Sequence, residues 1–259
     1  GLELLLVAGE ILALVGIARQ YGHQRLRRRF PGELCQAGEQ PPTRPAQRRL
    51  QGRFCFVEPL DVARHARALF DANDQDHEHR MWTYLAYGPF ADLAEYERWL
   101  TERAGSDDPL FQAFVDRTSG NAVGLGAFMR IDPPAGTIEV GHIAMSPVLQ
   151  RSPAATEAMY LMMRHAFELG YRRYEWKCDA LNAASRRAAE RLGFTFEGIF
   201  RQAIVYKGRN RDTAWYSIID TEWPALDAAF RTWLDPANFD RDGRQRERLD
   251  ALRGVRHPS

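Results

Sequence analysis

Apolar residues follow two rhythms along this chain, and the change from one to the other predicts its elements. Spacings of three and four mark helices. Leu93, Tyr96, Trp99 and Leu100 share one face over 92–102, and Ala155, Met159, Met162, Met163, Ala166 and Phe167 share one face over 154–170. Short β-branched or aromatic runs predict strands at 54–58, 109–116, 122–131, 138–145, 172–178, 194–206 and 213–219. Pro59 ends the first of these, and Asp61 caps a helix that runs to Phe70. Thr118-Ser119-Gly120-Asn121 joins two strands as a hairpin turn, and residues 207–211 join the last two. Gly170 and Gly193 stand where helices should stop. Asn182 opens the helix that ends at Gly193, and Trp223-Pro224 opens another to about Leu234. The order is antiparallel strands, then strand–helix–strand–helix, then a closing hairpin. It predicts an α/β fold around one mixed sheet.

The same pattern divides the chain. Residues 1–18 are apolar but broken by Glu3 and Glu10, and Arg25, Arg27, Arg28 and Arg29 follow. A secretory signal carries its charge ahead of the apolar run, and a buried Glu is costly in a bilayer. An accessory helix is therefore the expectation, with membrane contact by 1–18 as the minor alternative. Residues 31–50 are rich in Pro, Gln and Arg and read as a linker, so 1–50 form an extension. The working domain is expected over 51–235, and 236–259 as a charged, peripheral tail.

Composition narrows the function classes. The 259 residues carry a net charge of +1, with 45% hydrophobic and 27% charged residues. Nothing in that balance asks for nucleic acid or membrane as a partner. Three cysteines, Cys35, Cys55 and Cys178, have no ligand spacing, which suits reduced thiols in a cytoplasmic protein. His77 and His79 sit in an acidic loop with no third ligand indicated, so no metal site is expected.

The candidate chemistry gathers around EVGHIAMSPVLQRSPAATEA, residues 139–158. A strand, a polar turn and a helix start follow one another there. The first turn of a helix leaves about four N–H groups free at its positive end, which suits a phosphate. Glu139 is a candidate base at the start of the strand; a charged residue at a strand's exposed end is the bland reading. Strict alternation puts His142 on the opposite face. Asn182 is a good N-cap, with Ser185 at its third helical position. Trp82, Tyr84, Tyr87 and Phe90 form an aromatic run that suits either a core or a pocket. Lys207, Arg209 and Arg211 sit on a turn near the pocket rim and read as a solvated turn, with contact to an acidic substrate as the alternative.

Three motifs occur together: EVGHIAMSP leading into LQRSPAATEA, YEWKCD followed by NAASRRAAERLGF, and FEGIFRQAIVYKGRNRDTAWYSI. In this order they resemble the GNAT superfamily of acetyl-CoA-dependent N-acetyltransferases, and most the Rim-type branch that acetylates ribosomal proteins. The resemblance covers roughly Arg53 to Trp223. It implies a mixed, mostly antiparallel splayed sheet flanked by helices, with acetyl-CoA in the V between strands 138–145 and 172–178. It implies cofactor contacts from Met145, Gln150, Arg151, Ser152, Ala154, Ala155 and Thr156, and from Asn182 to the pantetheine arm. It makes Glu139 a general base, Ser185 the proton donor to the CoA sulfur, and Trp82, Tyr84, Tyr87 and Phe90 the acceptor pocket. Tyr206 and Tyr216 are reserve acids. One position departs from the family pattern: Pro153 stands where a glycine is usual and removes one N–H. The expectation is an N-acetyltransferase acting by direct attack in a ternary complex, as monomer or homodimer. Its acceptor would be a protein N-terminus, an amino-acid derivative or a small amine. A non-catalytic CoA- or protein-binding module is the alternative.

Overall fold

The computed structural model describes residues 41–254. The apolar stretch, the Arg cluster, Cys35 and the first part of the linker lie outside the described residues. One eight-stranded sheet organises the rest, in the order β1-β2-β3-β4-β5-β6-β8-β7. Its strands are β1 (Leu50–Gln51), β2 (Cys55–Pro59), β3 (Leu110–Asp116), β4 (Ala122–Asp132), β5 (Thr137–Met145), β6 (Arg173–Asp179), β7 (Thr195–Tyr206) and β8 (Arg209–Ile219). Every neighbouring pair is antiparallel except β5–β6. That parallel step requires a crossover, and α3 (Pro153–Glu168) supplies it.

Helices cover both faces. On one lie α3 and α5 (Trp223–Leu234), packed over Ile138, Val140, Tyr174, Trp176 and Ile218. Met159, Met162 and Met163 of α3 are wholly buried there, each contributing about 1.5–3 kcal/mol. On the other face lie α1 (Val62–Asp74) and α2 (Leu93–Ala104), whose Leu69, Tyr96, Trp99 and Leu100 pack over Phe111, Ala113, Leu125 and Ala127. Asp61, Asp92 and Asn182 accept from the amides three residues on and so start α1, α2 and α4 (Ala183–Leu192).

Three stretches differ from the sequence expectation. The end of the linker belongs to the domain: Leu50 is buried in β1, and Arg44 donates to the carbonyls of Ile131 and Asp107. The charged tail is also folded on. Leu249 of α6 (Leu249–Leu252) is buried, and Phe239 meets Phe54 edge-on at 5.3 Å. Few apolar residues carry these contacts, so the charge around them hid the signal. The last hairpin turns at Lys207-Gly208, and β8 resumes at Arg209. No helix among the described residues is long and apolar enough to cross a membrane, and none of their His, Cys, Asp and Glu clusters could hold a metal ion.

Candidate active site

β5 and β6 pair only from Thr137↔Arg173 to Val140↔Trp176. Beyond that point β5 stays bound to β4 as far as Gly124↔Met145, and β6 stays bound to β8 as far as Asp179↔Thr213. The two strands thus part, leaving a V between 141–145 and 177–179. One extra residue sits in β5 there. The β4–β5 register shifts between Leu125 and Ala127, and His142 takes a left-handed φ of 51°. Such a bulge takes a strand amide out of its ladder, which is what a developing oxyanion needs. Sequence alternation could not show it. It also moves His142 to the face that carries Glu139, where its ring lies 5.7 Å from Tyr87 and 4.9 Å from Phe111.

The polar turn after β5 is built by its own side chains. Ser146 Oγ donates to the Val123 carbonyl at 2.6 Å, and Gln150 Nε2 donates to Met145 O at 2.8 Å. Ser152 Oγ donates to Leu149 O and accepts the Ala155 amide, capping α3. Pro153 occupies the first helical position, so the N–H it lacks is one the helix would not have used. Arg151, with a φ of 59°, and Ala154 bring the amides that stay outside the helix ladder. Thr156 points elsewhere: its hydroxyl accepts from Arg191 of α4 at 3.0 Å. That bond ties the two helices flanking the V.

Across the V, Asn182 caps α4 by accepting the Ser185 amide. Ser185 Oγ accepts the Trp176 indole N–H at 3.0 Å, so its own proton can go to another acceptor, the adjacent Cys178 sulfur among them. The neighbouring Cys178 thiol is pushed up by burial, and the Ser185 hydroxyl works against that shift.

The opposite face of the same strands carries a ladder of charges. Glu139 Oε2 accepts from Arg130 at 2.6 Å and from Lys177 at 2.7 Å. Lys177 also pairs with Glu175 at 2.8 Å, and Arg173 joins Glu175 to Glu197. Glu139 and Lys177 are almost wholly buried, and Lys177 Nζ lies 3.7 Å from the centre of the Trp215 ring. The other Glu139 oxygen lies towards Gly141, at the point where the strands part: a Cβ there would stand 3.7 Å from Oε1 and would overlap the Met129 thioether that covers the position.

The aromatic run closes this face. Trp82 is buried against Tyr87 and Phe90, and Phe90 continues onto Tyr96 and Trp99. Those two therefore serve as core. Tyr87 packs on Trp99 at 4.3 Å as part of the same core, with its hydroxyl buried and its ring also beside His142, whereas Tyr84 lies at the rim. Tyr84 Oη donates to the Leu181 carbonyl at 3.1 Å. Lys207 stays exposed on its turn, yet its Nζ donates to the carbonyls of Trp82 and Tyr87 and straps the loop to the β7–β8 hairpin. Burial lowers its pKa. Of the reserve acids, Tyr206 donates to Asp179 at 2.9 Å and Tyr216 to Glu190 at 3.2 Å.

Two histidines make the domain acid-sensitive. His142 and His165 are held at about 4 instead of 6.5, chiefly by burial and then by nearby arginines. The unfolded chain binds these protons first. The stability the two neutral rings contribute is therefore full above pH 6.5 and is lost as pH falls towards 4. Urea midpoints measured across that window should fall, and less steeply in His142→Asn, which tolerates the left-handed backbone. A flat profile would contradict the assignment.

Residues 55–195 match the family model of the acetyltransferase (GNAT) domain. The chain belongs to the GNAT acetyltransferase family. A GCN5-related N-acetyltransferase from Brucella melitensis is 49% identical over 84% of this chain and 99% of that one, with a TM-score of 0.82. A probable GNAT acetyltransferase from Chromobacterium violaceum is 40% identical over 76% and 98%, with a TM-score of 0.71. RimL, a ribosomal L7/L12 alpha-N-protein acetyltransferase, is similar in fold alone: 19% identity, 66% and 94% covered, TM-score 0.58. No curated protein matches significantly. The protein is thus an acyltransferase of a family that takes its acetyl group from acetyl-CoA.

Proposed function

We propose that this acetyltransferase moves the acetyl group onto the nitrogen of a primary amine, by direct attack while acetyl-CoA and amine are bound together. The observation that carries the reading is the parting of β5 and β6 at Gly141, with a bulged strand on one side and Ser185 on the other. The diphosphate would lie at the start of α3, on the Arg151 and Ala154 amides, with the Arg151 side chain offsetting Pro153. Met145, Gln150, Ser152 and Ala155 then shape that turn, and Asn182 borders the pantetheine arm.

Acetyl transfer needs a neutral amine, a polarised carbonyl and a protonated leaving thiolate. Glu139 is the carboxylate beside the point of divergence. Its Oε2 is held by two cations and its Oε1 lies towards Gly141, so it takes the proton of the incoming ammonium, directly or through water. The C–N bond forms as the C–S bond breaks. Of the two protons the nitrogen sheds, one goes to Glu139 and on to solvent. The other replaces the proton that Ser185 gives to the sulfur.

Glu139→Gln should lower turnover by roughly a hundredfold and leave acetyl-CoA affinity nearly unchanged, measured by thiol release and calorimetry. Wild-type turnover in the variant would clear Glu139 of the base role. Pro153 favours a second reading, a CoA-binding module without catalysis. Cofactor binding with no thiol release across a broad amine panel would select it.

A further inference from the structure

Most buried charges of this domain are paired with an opposite charge, and Glu157 is satisfied by three backbone amides instead. Glu58 meets Arg49 and Arg64, and Glu139 and Glu175 share Lys177. Two charges on one wall of the V break that habit. Asp179, the last residue of β6, is buried; it accepts the Leu181 amide and the Tyr206 hydroxyl, and no cation pairs with it among the described residues. Arg211 of β8 is half-buried. Its Nε is enclosed without an acceptor, and no carboxylate among the described residues pairs with its guanidinium. The Tyr206 ring lies 6.0 Å from its Cζ.

The register puts these two charges together. Asp179 is opposite Thr213, so Arg211, two residues further along β8, lies on the same face and just past the end of β6. Trp215, two residues the other way, has its indole N–H buried without an acceptor on that same face. The wall thus presents a carboxylate without a cation, a guanidinium without an anion and a spare donor, beside the place where the amine must arrive.

Resting on the proposed N-acetyl transfer, we propose that the acceptor is an amino-acid-like zwitterion with a free carboxylate one or two carbons from its amine. Arg211 takes the carboxylate, and the ammonium faces Asp179 before it gives its proton to Glu139. A peptide or protein N-terminus has the amine and a carbonyl in that place but no negative charge, and meets Arg211 without satisfying it.

The test uses the full chain with acetyl-CoA and thiol release. Each of the common amino acids is compared with its own amide and with its decarboxylated amine. The best amino acid should exceed its amide in kcat/KM by roughly tenfold or more, the value of one charged hydrogen-bonded contact. R211M should erase that preference through KM, and R211K should keep part of it. An amide or a peptide N-terminus that serves as well as the free acid in wild type, or an unchanged preference in R211M, overturns the assignment. If acetyl-CoA binds but no amine is turned over, N-acetylation itself has failed. Amino-acid binding is then read by thermal shift: it should raise the melting temperature of wild type and not of R211M, and no shift in wild type overturns the inference.

Discussion

Glu157→Ala is expected to destabilise the domain by about 3–5 kcal/mol, the loss that follows when a buried charged hydrogen-bonding hub is removed. Glu157 lies in the second turn of α3, the helix whose start is assigned to the diphosphate. Its Oε1 accepts the Arg53 amide at 2.6 Å, and its Oε2 accepts those of Phe54 and Cys55 at 2.5 and 2.9 Å. The side chain is almost wholly buried. It therefore serves as the turn that the chain before β2 does not form for itself. Gly52 is part of the same arrangement, because a Cβ there would overlap the carboxylate. Alanine leaves three amides without acceptors. Glu157→Gln should cost less than alanine but still about 2 kcal/mol, since its NH2 group faces donors. Urea unfolding of the three proteins measures both values, and a loss below about 1 kcal/mol for alanine would contradict this role.

Lys177→Met should cost a similar amount for a different reason. Its ammonium stands between Glu139 and Glu175, which are register partners on adjacent strands, and methionine leaves two buried carboxylates side by side. Arg130 and Arg173 remain as their outer partners, which limits the loss to about 3–5 kcal/mol. Combined variants should behave differently from the single one. Changing Glu139 and Glu175 to glutamine as well should recover most of the stability, because the cost is stranded charge and not lost packing. Denaturant unfolding of the single, double and triple variants tests it. Strict additivity would show that the three side chains do not act as one network.

The elements were legible because local signals and burial agree. Ser152-Pro153 starts α3 as its cap and first residue should, and the methionine stripe of α3 faces the sheet. The parallel step and the mixed sheet followed from strand order and the long helix between β5 and β6. The site was legible only in outline. Period-two alternation cannot register a bulge, so it puts His142 on the face opposite Glu139, and only the left-handed backbone at His142 turns it to the same face. The Lys207 strap was not legible, because its acceptors are carbonyls of a loop some 120 positions away and nothing local announces such a bond. Asp179 gave no pattern either, and Arg211 gave only that of a basic turn near the pocket rim. Each is ordinary in sequence, and only the register that sets Asp179 opposite Thr213 brings them to one wall.

Calorimetric titration of acetyl-CoA into the 259-residue chain addresses the central claim most directly. Saturable binding at a single site, weakened in Arg151→Ala, is the predicted result. The absence of measurable binding by acetyl-CoA or coenzyme A would mean that the bulged strand, the capped turn and the amides of Arg151 and Ala154 do not form a cofactor site.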